Sequence, residues 1–188
     1  MAKAVFLDRD GTINRDVGYL SRKEDIEIIP GAIDALRTFK KLGFLNIVIT
    51  NQSGIARGFY TEKELGEIHE EFLRILNKEE KLIDDIFYSP YHAEGSVEEF
   101  AKEHETRKPG TGMIDLAVKK YGIDITRSVL IGDSLVDMQC AQNAGLKKIL
   151  VLTGYGEITK KKCADENIPL ERIADNILQA SEIIKTTF

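Results

Sequence analysis

AVFLDRDGTINRD, residues 4–16, is the stretch on which the reading of the fold turns. Ala4 to Leu7 form an apolar run of the kind that makes a buried strand. The run ends in Asp8, Asp10 follows two residues later, and Gly11 lets the chain turn tightly behind them. Two carboxylates at the end of a buried strand raise each other's proton affinity, and burial sharpens the repulsion. A cation between them removes the conflict, so the stretch points to a bound metal.

Outward from it, strand-like and helix-like runs alternate. KAVFLD is followed by the helix PGAIDALRTFKKLG, opened by Pro30 and closed by Gly43. FLNIVITN is a strand, and TEKELGEIHEEFLRILNKE a helix with Thr61 as N-cap and Glu64 completing a capping box. IDDIFYSP is a strand, GTGMIDLAVKKYG a helix stopped by Gly122, and SVLIGDS a strand. LVDMQCAQNAG is a helix, KKILVLTG a strand, and ADNILQASEIIKTTF the last helix. Repeated strand-helix-strand order with continuous apolar strands predicts an α/β fold, a parallel sheet with helices on both faces. Residues 1–188 read as one domain. The segment 89–108 is long for a connection and reads as a functional loop on the substrate side, with one helical turn near Val97–Phe100.

The chain has 188 residues, 43% hydrophobic and 30% charged, with a net charge of -5. That balance disfavours nucleic acid as a partner, which needs a basic face, but leaves room for a small phosphorylated substrate. Cys140 and Cys163 stand far apart and read as reduced thiols of a cytoplasmic protein. The N-terminus runs straight into a strand, so no signal peptide is expected, and no apolar run approaches bilayer length. No membrane partner is expected, and the absence of a long apolar seam predicts a monomer.

In parallel sheets ligands sit at the carboxyl ends of the strands. The unusual polar residues collect there: Asp8 and Asp10 after the first strand, Thr50 and Asn51 after the second, Asp133 after a later one. Arg107 and Lys108 stand at a helix entry. Asp8, Asp10 and Asp133 together suit Mg²⁺, which prefers oxygen ligands and commonly handles phosphate. Lys108 and the Thr50 hydroxyl would hold phosphoryl oxygens. One carboxylate can attack phosphorus, and a second can protonate the leaving oxygen and later activate water. Asp137 would orient Lys108 or a metal-bound water. Singly, each has an ordinary explanation: Asp133 and Ser134 suit a helix cap, Thr50-Asn51 a turn, Lys108 a surface before proline, Asp16 and Asp34 solvation or capping. Jointly, those explanations need independent accidents at one end of one sheet.

DRDGT, TNQ, RKP and GDSLVD resemble the four motifs of the haloacid dehalogenase superfamily of phosphatases, in order from residue 8 to 137. FLDRDGTINRDVGYL, IPGAIDAL, TNQSGIARG and SVEEF…RKPGTGM resemble the subfamily of heptose 1,7-bisphosphate 7-phosphatases and histidinol-phosphatases. The resemblance implies a three-layer, Rossmann-like fold without a large cap domain. It implies Asp8 as nucleophile, Asp10 as general acid/base, and Mg²⁺ held by Asp8, the Asp10 backbone carbonyl and Asp133. It implies that Thr50 and Lys108 stabilise the phosphoryl group and Arg107 helps to recognise a sugar phosphate. Asp16 to Tyr19 and Thr50 to Ser53, with Asn51 and Gln52, match its substrate-contacting segments. The sugar, its anomer and the surface-glycan pathway it feeds do not follow from the chemistry.

Two departures stand out. The subfamily usually carries a zinc loop patterned C-x-H and then C-x-C before R-K-P. Here those places hold Ser89, Tyr91, His104 and Thr106, so no thiolate site forms and zinc is not expected. Ser134 stands where some relatives carry Lys, which removes one cationic contact. Histidinol phosphate or another small sugar phosphate is the alternative substrate. A phosphorelay receiver, the non-enzyme alternative, has no need of an acid/base at Asp10.

Overall fold

The computed structural model describes residues 1–187. Six strands form one sheet: β1 (Lys3–Leu7), β2 (Phe44–Asn51), β3 (Asp85–Ser89), β4 (Val129–Gly132), β5 (Lys147–Val151) and β6 (Arg172–Ala174). The order is β3-β2-β1-β4-β5-β6 and every pairing is parallel. Six helices cover it: α1 (Ala32–Lys41), α2 (Glu62–Leu76), α3 (Gly112–Tyr121), α4 (Leu135–Asn143), α5 (Gly156–Asp165) and α6 (Ile177–Thr187).

The two-residue period of a strand divides the core. Val5 and Leu7 of β1 pack with Leu36 and Phe39 of α1, Phe72 of α2 and Ile177 of α6. Ala4 and Phe6 face the other way, onto Met113 and Ala117 of α3, Met138 of α4 and Cys163 of α5. This is the three-layer architecture expected from the sequence. No helix among the described residues is long and apolar enough to cross a membrane.

The chain leaves β1 toward β2 on one side and, later, returns to β4 on the other. The carboxyl ends of β1 and β4 therefore flank the point where strand order reverses, which is where such sheets open a crevice. Asp8 directly follows β1 and Asp133 directly follows β4.

Two elements escape the sequence reading. α5 is Lys-rich, with Thr159 and Cys163 among its few buried residues, and so lacks an apolar stripe. β6 has three residues at the sheet edge, and only Ala174 is buried. The second helix stops at Leu76, before the predicted Glu79, and the last begins at Ile177, three residues later than expected. Phe188, the end of that predicted helix, lies outside the described residues.

Candidate active site

The crevice holds a small polar cavity of about 150 Å³ whose walls include Asp8, Asp10, Thr50, Lys108, Asp133 and Tyr155. Lys108 crosses its floor. Its Nζ donates to Asp8 Oδ1 (2.8 Å), Asp137 Oδ1 (2.6 Å) and the Ile49 carbonyl (3.0 Å), which uses all three ammonium hydrogens. Burial alone would lower the pKa of this amine; the charges of Asp137 and Asp8 hold it well above the usual lysine value. Asn51 fixes the lysine's backbone: its Oδ1 accepts from the Lys108 N–H (3.0 Å) and its Nδ2 donates to the Lys108 carbonyl (3.1 Å).

Asp137 also completes the cap of α4, where its Oδ2 accepts from the Ser134 N–H (3.0 Å) and hydroxyl (2.5 Å). Ser134 is thus an N-cap as well as a wall of the cavity, and Asp137 anchors Lys108.

One carboxylate oxygen each from Asp8, Asp133 and Asp137 lies within 4.8 Å of the others. Burial, then the charge of Asp137, pushes Asp8 up to about 7, with Lys108 opposing. Burial, then the charges of Asp8 and Asp137, pushes Asp133 up to about 8. Three clustered carboxylates against one ammonium leave negative charge uncompensated, and hard oxygen donors suit Mg²⁺. The space also fits: a Cβ on Gly11 would stand 2.3 Å from Asp133 Oδ2, and one on Gly154 only 2.1 Å. Both glycines have positive φ, 81° and 56°, so two backbones approach Asp133 as only glycine allows. The Tyr155 N–H then donates to Asp133 Oδ2 (2.7 Å), and Thr153 Oγ1 donates to the Gly11 carbonyl (2.6 Å).

Asp10 lives in a different environment. The Arg9 guanidinium lies along its carboxylate, with Nη2 at 2.8 Å from Oδ2 and Nε at 3.2 Å from both oxygens. Asn14 Nδ2 donates to Oδ1 (2.9 Å) and Gln52 Nε2 to Oδ2 (3.1 Å). Burial alone would raise this carboxyl; the Arg9 charge and the bonds from Asn14, Arg9 and Gln52 hold it below the usual range. The Asp10 carboxylate therefore faces its donors, and Asp137 takes its place beside Asp8 and Asp133 in the carboxylate group. Asp8 and Asp133 thus stand together in the carboxylate group, and the Asp10 side chain stands apart from it.

The remaining expected residues divide. Thr50 is buried in the cavity wall, its Oγ1 accepting from Gln52 Nε2 (2.8 Å). Gln52 is itself buried, and its Oε1 accepts from the Tyr60 hydroxyl (2.7 Å), so it supports Asp10 and Thr50 from behind. Asp16 lines the cavity and its Oδ1 accepts from the Gly18 N–H (2.7 Å). Tyr19 is exposed, edge-on to Phe59 with ring centroids 4.5 Å apart. Ser53 contributes a backbone carbonyl to a turn, accepting from the Arg57 N–H (3.0 Å). Arg107 is half-buried and donates through Nη1 to the Tyr91 carbonyl (3.1 Å).

The loop 89–108 contains the expected turn, closed by Ala101 N–H to Val97 O (2.9 Å), and Phe100 packs against Ile55, Tyr60 and Leu65. The four places where a zinc knot would sit are joined to one another. Thr106 Oγ1 donates to Ser89 Oγ (3.1 Å) and lies 2.8 Å from His104 Nδ1, which also accepts from the Thr106 N–H (3.2 Å). The His104 ring stacks on Tyr91, centroids 4.0 Å apart.

Arg9, Asn14, Tyr60, His69, Gly154 and Tyr155 escape the sequence reading. Only Arg9 carried a signal, a large cation between two acids at a strand end. The others reach the site from loops and helices whose proximity only the fold creates.

The HAD-hydrolase-like family model matches residues 105–180. The chain is 39% identical over 179 residues to D-glycero-beta-D-manno-heptose-1,7-bisphosphate 7-phosphatase of Haemophilus influenzae, covering 92% of this chain and 97% of that one. It is 47% identical over 152 residues to the enzyme of the same name from Escherichia coli K12, covering 80% of each. Its fold matches the crystal structure of D,D-heptose 1,7-bisphosphate phosphatase from B. bronchiseptica complexed with magnesium and phosphate, with a TM-score of 0.86, 29% identity and 99% of both chains covered.

Proposed function

The chain belongs to the heptose-1,7-bisphosphate 7-phosphatase family of haloacid dehalogenase-like hydrolases, and from that premise we propose how its own residues carry out the reaction. It is a phosphoric monoester hydrolase that removes the 7-phosphate of D-glycero-D-manno-heptose 1,7-bisphosphate. The observation that carries the mechanism is Asp8, held at the cavity floor by Lys108 beside Asp133.

An Asp8 oxygen attacks phosphorus while the bond from phosphorus to the sugar oxygen breaks. Asp10 gives a proton to that leaving oxygen. Water then attacks the aspartyl-phosphate, Asp10 takes a proton from it, and the bond between phosphorus and Asp8 breaks to release inorganic phosphate. Before substrate arrives Asp10 is a base, because its donors favour the carboxylate. The incoming phosphoryl charge raises its proton affinity, so Asp10 takes a proton from water, or from the monoanionic phosphate ester, as substrate binds and then delivers it to the leaving oxygen. The Thr50 hydroxyl, whose own hydrogen is free, donates to a phosphoryl oxygen, and Lys108 stabilises the phosphoryl group through its charge beside Asp8. Asp8 and Asp133, with the Asp10 backbone carbonyl, would hold Mg²⁺, which supplies charge neutralisation for the phosphoryl group.

Arg107 is the recognition residue for the second phosphate, a planar fork on the loop that leads into Lys108. Tyr19, in the matching substrate-contacting segment, stands exposed against Phe59 and is free to meet the sugar. The loop does its work without zinc: Ser89, Tyr91, His104 and Thr106 are tied by hydrogen bonds and stacking instead.

A phosphate-release panel tests the reading, with α- and β-heptose bisphosphates, histidinol phosphate, fructose bisphosphate and a 3′-phosphorylated oligonucleotide. One heptose anomer should give the highest kcat/KM. Preference for histidinol phosphate would overturn the substrate while leaving the chemistry standing.

A further inference from the structure

Arg9 is completely buried, although arginine rarely is unless its donors are met. Nε and Nη2 meet Asp10. Nη1 points the other way, to His69 Nε2 at 3.1 Å. A guanidinium can only donate, so Nε2 must accept, and the ring proton belongs on Nδ1. A second observation agrees: burial, then the charge of Arg9, pushes the His69 imidazole down to about 3, so the ring is neutral at neutral pH.

His69 is well placed to hold Arg9. It lies on α2, whose start is fixed by the Thr61–Glu64 capping box and whose buried face is Leu65, Ile68, Phe72 and Leu76. Its ring meets Tyr88 of β3 edge-on, centroids 5.7 Å apart. A continuous path therefore runs from a rigid helix through one neutral ring and one guanidinium to Asp10.

We propose that His69 is a positioning residue for phosphoryl transfer: its Nε2 holds the Arg9 guanidinium flat against Asp10 and so fixes how Asp10 faces the leaving oxygen. The proposal rests on Asp10 as the general acid. His69 touches no reacting atom, so its loss should alter the proton-transfer step rather than substrate binding.

The test compares His69→Leu, His69→Gln and Asp10→Asn. Rapid quench measures aspartyl-phosphate formation from an alkyl phosphate, whose leaving oxygen needs a proton, and from an aryl phosphate, whose leaving oxygen does not. His69→Leu should slow formation from the alkyl phosphate about tenfold with KM unchanged, and slow the aryl phosphate far less. His69→Gln, whose amide oxygen can accept from Arg9, should recover most of the loss. Equal slowing of both substrates by His69→Leu, a shift in KM alone, or no recovery in His69→Gln would overturn the proposal. If Asp10→Asn also slows both substrates equally, the general-acid reading fails; if only the His69 variants do, this inference fails alone. Should His69→Leu not fold, nitrogen-15 NMR of the wild-type ring at neutral pH decides. The Nδ1–H tautomer is expected, and a charged ring or an Nε2–H tautomer would contradict it.

Discussion

Asp8 and Asp10 are two residues apart on the same turn, yet their surroundings are opposite. Asp8 belongs to a crowd of three carboxylates, shares Lys108 with one of them, Asp137, and has its proton affinity raised. Asp10 is alone among donors from Arg9, Asn14 and Gln52, and its proton affinity is lowered. Both lie beyond the end of β1, and the turn closed by Arg9 O and Asn14 O sends the two side chains into different company. The crowded side has charge left for a cation and for an attacking carboxylate. The saturated side holds one carboxylate at a fixed angle, the one to which we assign proton transfer.

Removing the charge on each side should break the comparison most sharply. Asp8→Asn should lower turnover by about a thousandfold or more for every substrate, since an amide is a poor nucleophile. Thermal stability should hold or rise, because one member of a repulsive group is gone. Turnover near wild type in a folded Asp8→Asn protein would remove Asp8 as nucleophile. Asp10→Asn should lower turnover of the sugar substrate by roughly a hundredfold or more, with aryl phosphate recovering much of the phosphorylation step.

A smaller effect is expected outside both environments. Arg107→Ala should reduce kcat/KM for the heptose bisphosphate by about tenfold, near the value of a hydrogen bond to a charged group, and spare a simple aryl phosphate. Lys108→Ala should damage both substrates, because its ammonium holds Asp8, the carboxylate proposed to attack in every case. Equal loss on both substrates in Arg107→Ala would end its role in recognition.

The smallest effect is one of stability and pH. In metal-free protein the carboxyls of Asp8 and Asp133 are raised from 3.8 to about 7 and about 8. Between those values the folded state binds protons that the unfolded chain has released, so stability falls as pH rises from about 4 to about 8. Mg²⁺ binds the deprotonated pair, so the rise in Tm it causes should grow across the same window, by a few degrees. Melts from pH 5 to 8 with and without Mg²⁺ check this; a metal-induced shift that is flat with pH would contradict it.

Much of this was legible beforehand because it lies in contiguous sequence. The apolar run into Asp8 located a strand and its end, and the alternation of elements set the parallel sheet. The Thr61–Glu64 cap marked a helix start to the residue. What was not legible depends on contacts between distant segments. Asp8, Asp10 and Asp133 all follow strands in the sequence, but only the fold shows that Arg9, folded back beside Asp10, engages its carboxylate. Gln52 matched a substrate segment, yet Tyr60 and Asp10 engage both ends of its amide. Gly154 and Tyr155 come from a turn after β5, over a hundred positions from Asp8, and only the pairing order brings them to Asp133. α5 and β6 lacked any periodic signal because each buries so few residues.

The most direct test of the contrast is carboxyl carbon-13 NMR of aspartate-labelled, metal-free protein, with Asp8→Asn, Asp10→Asn and Asp133→Asn used for assignment. Asp8 and Asp133 should titrate as an interacting pair near pH 7 to 8, and saturating Mg²⁺ should abolish that titration. Asp10 should stay ionised throughout and titrate only below the ordinary aspartate range. An Asp10 resonance that titrates near neutrality, with Asp8 and Asp133 both ionised throughout, would contradict the assignment of roles.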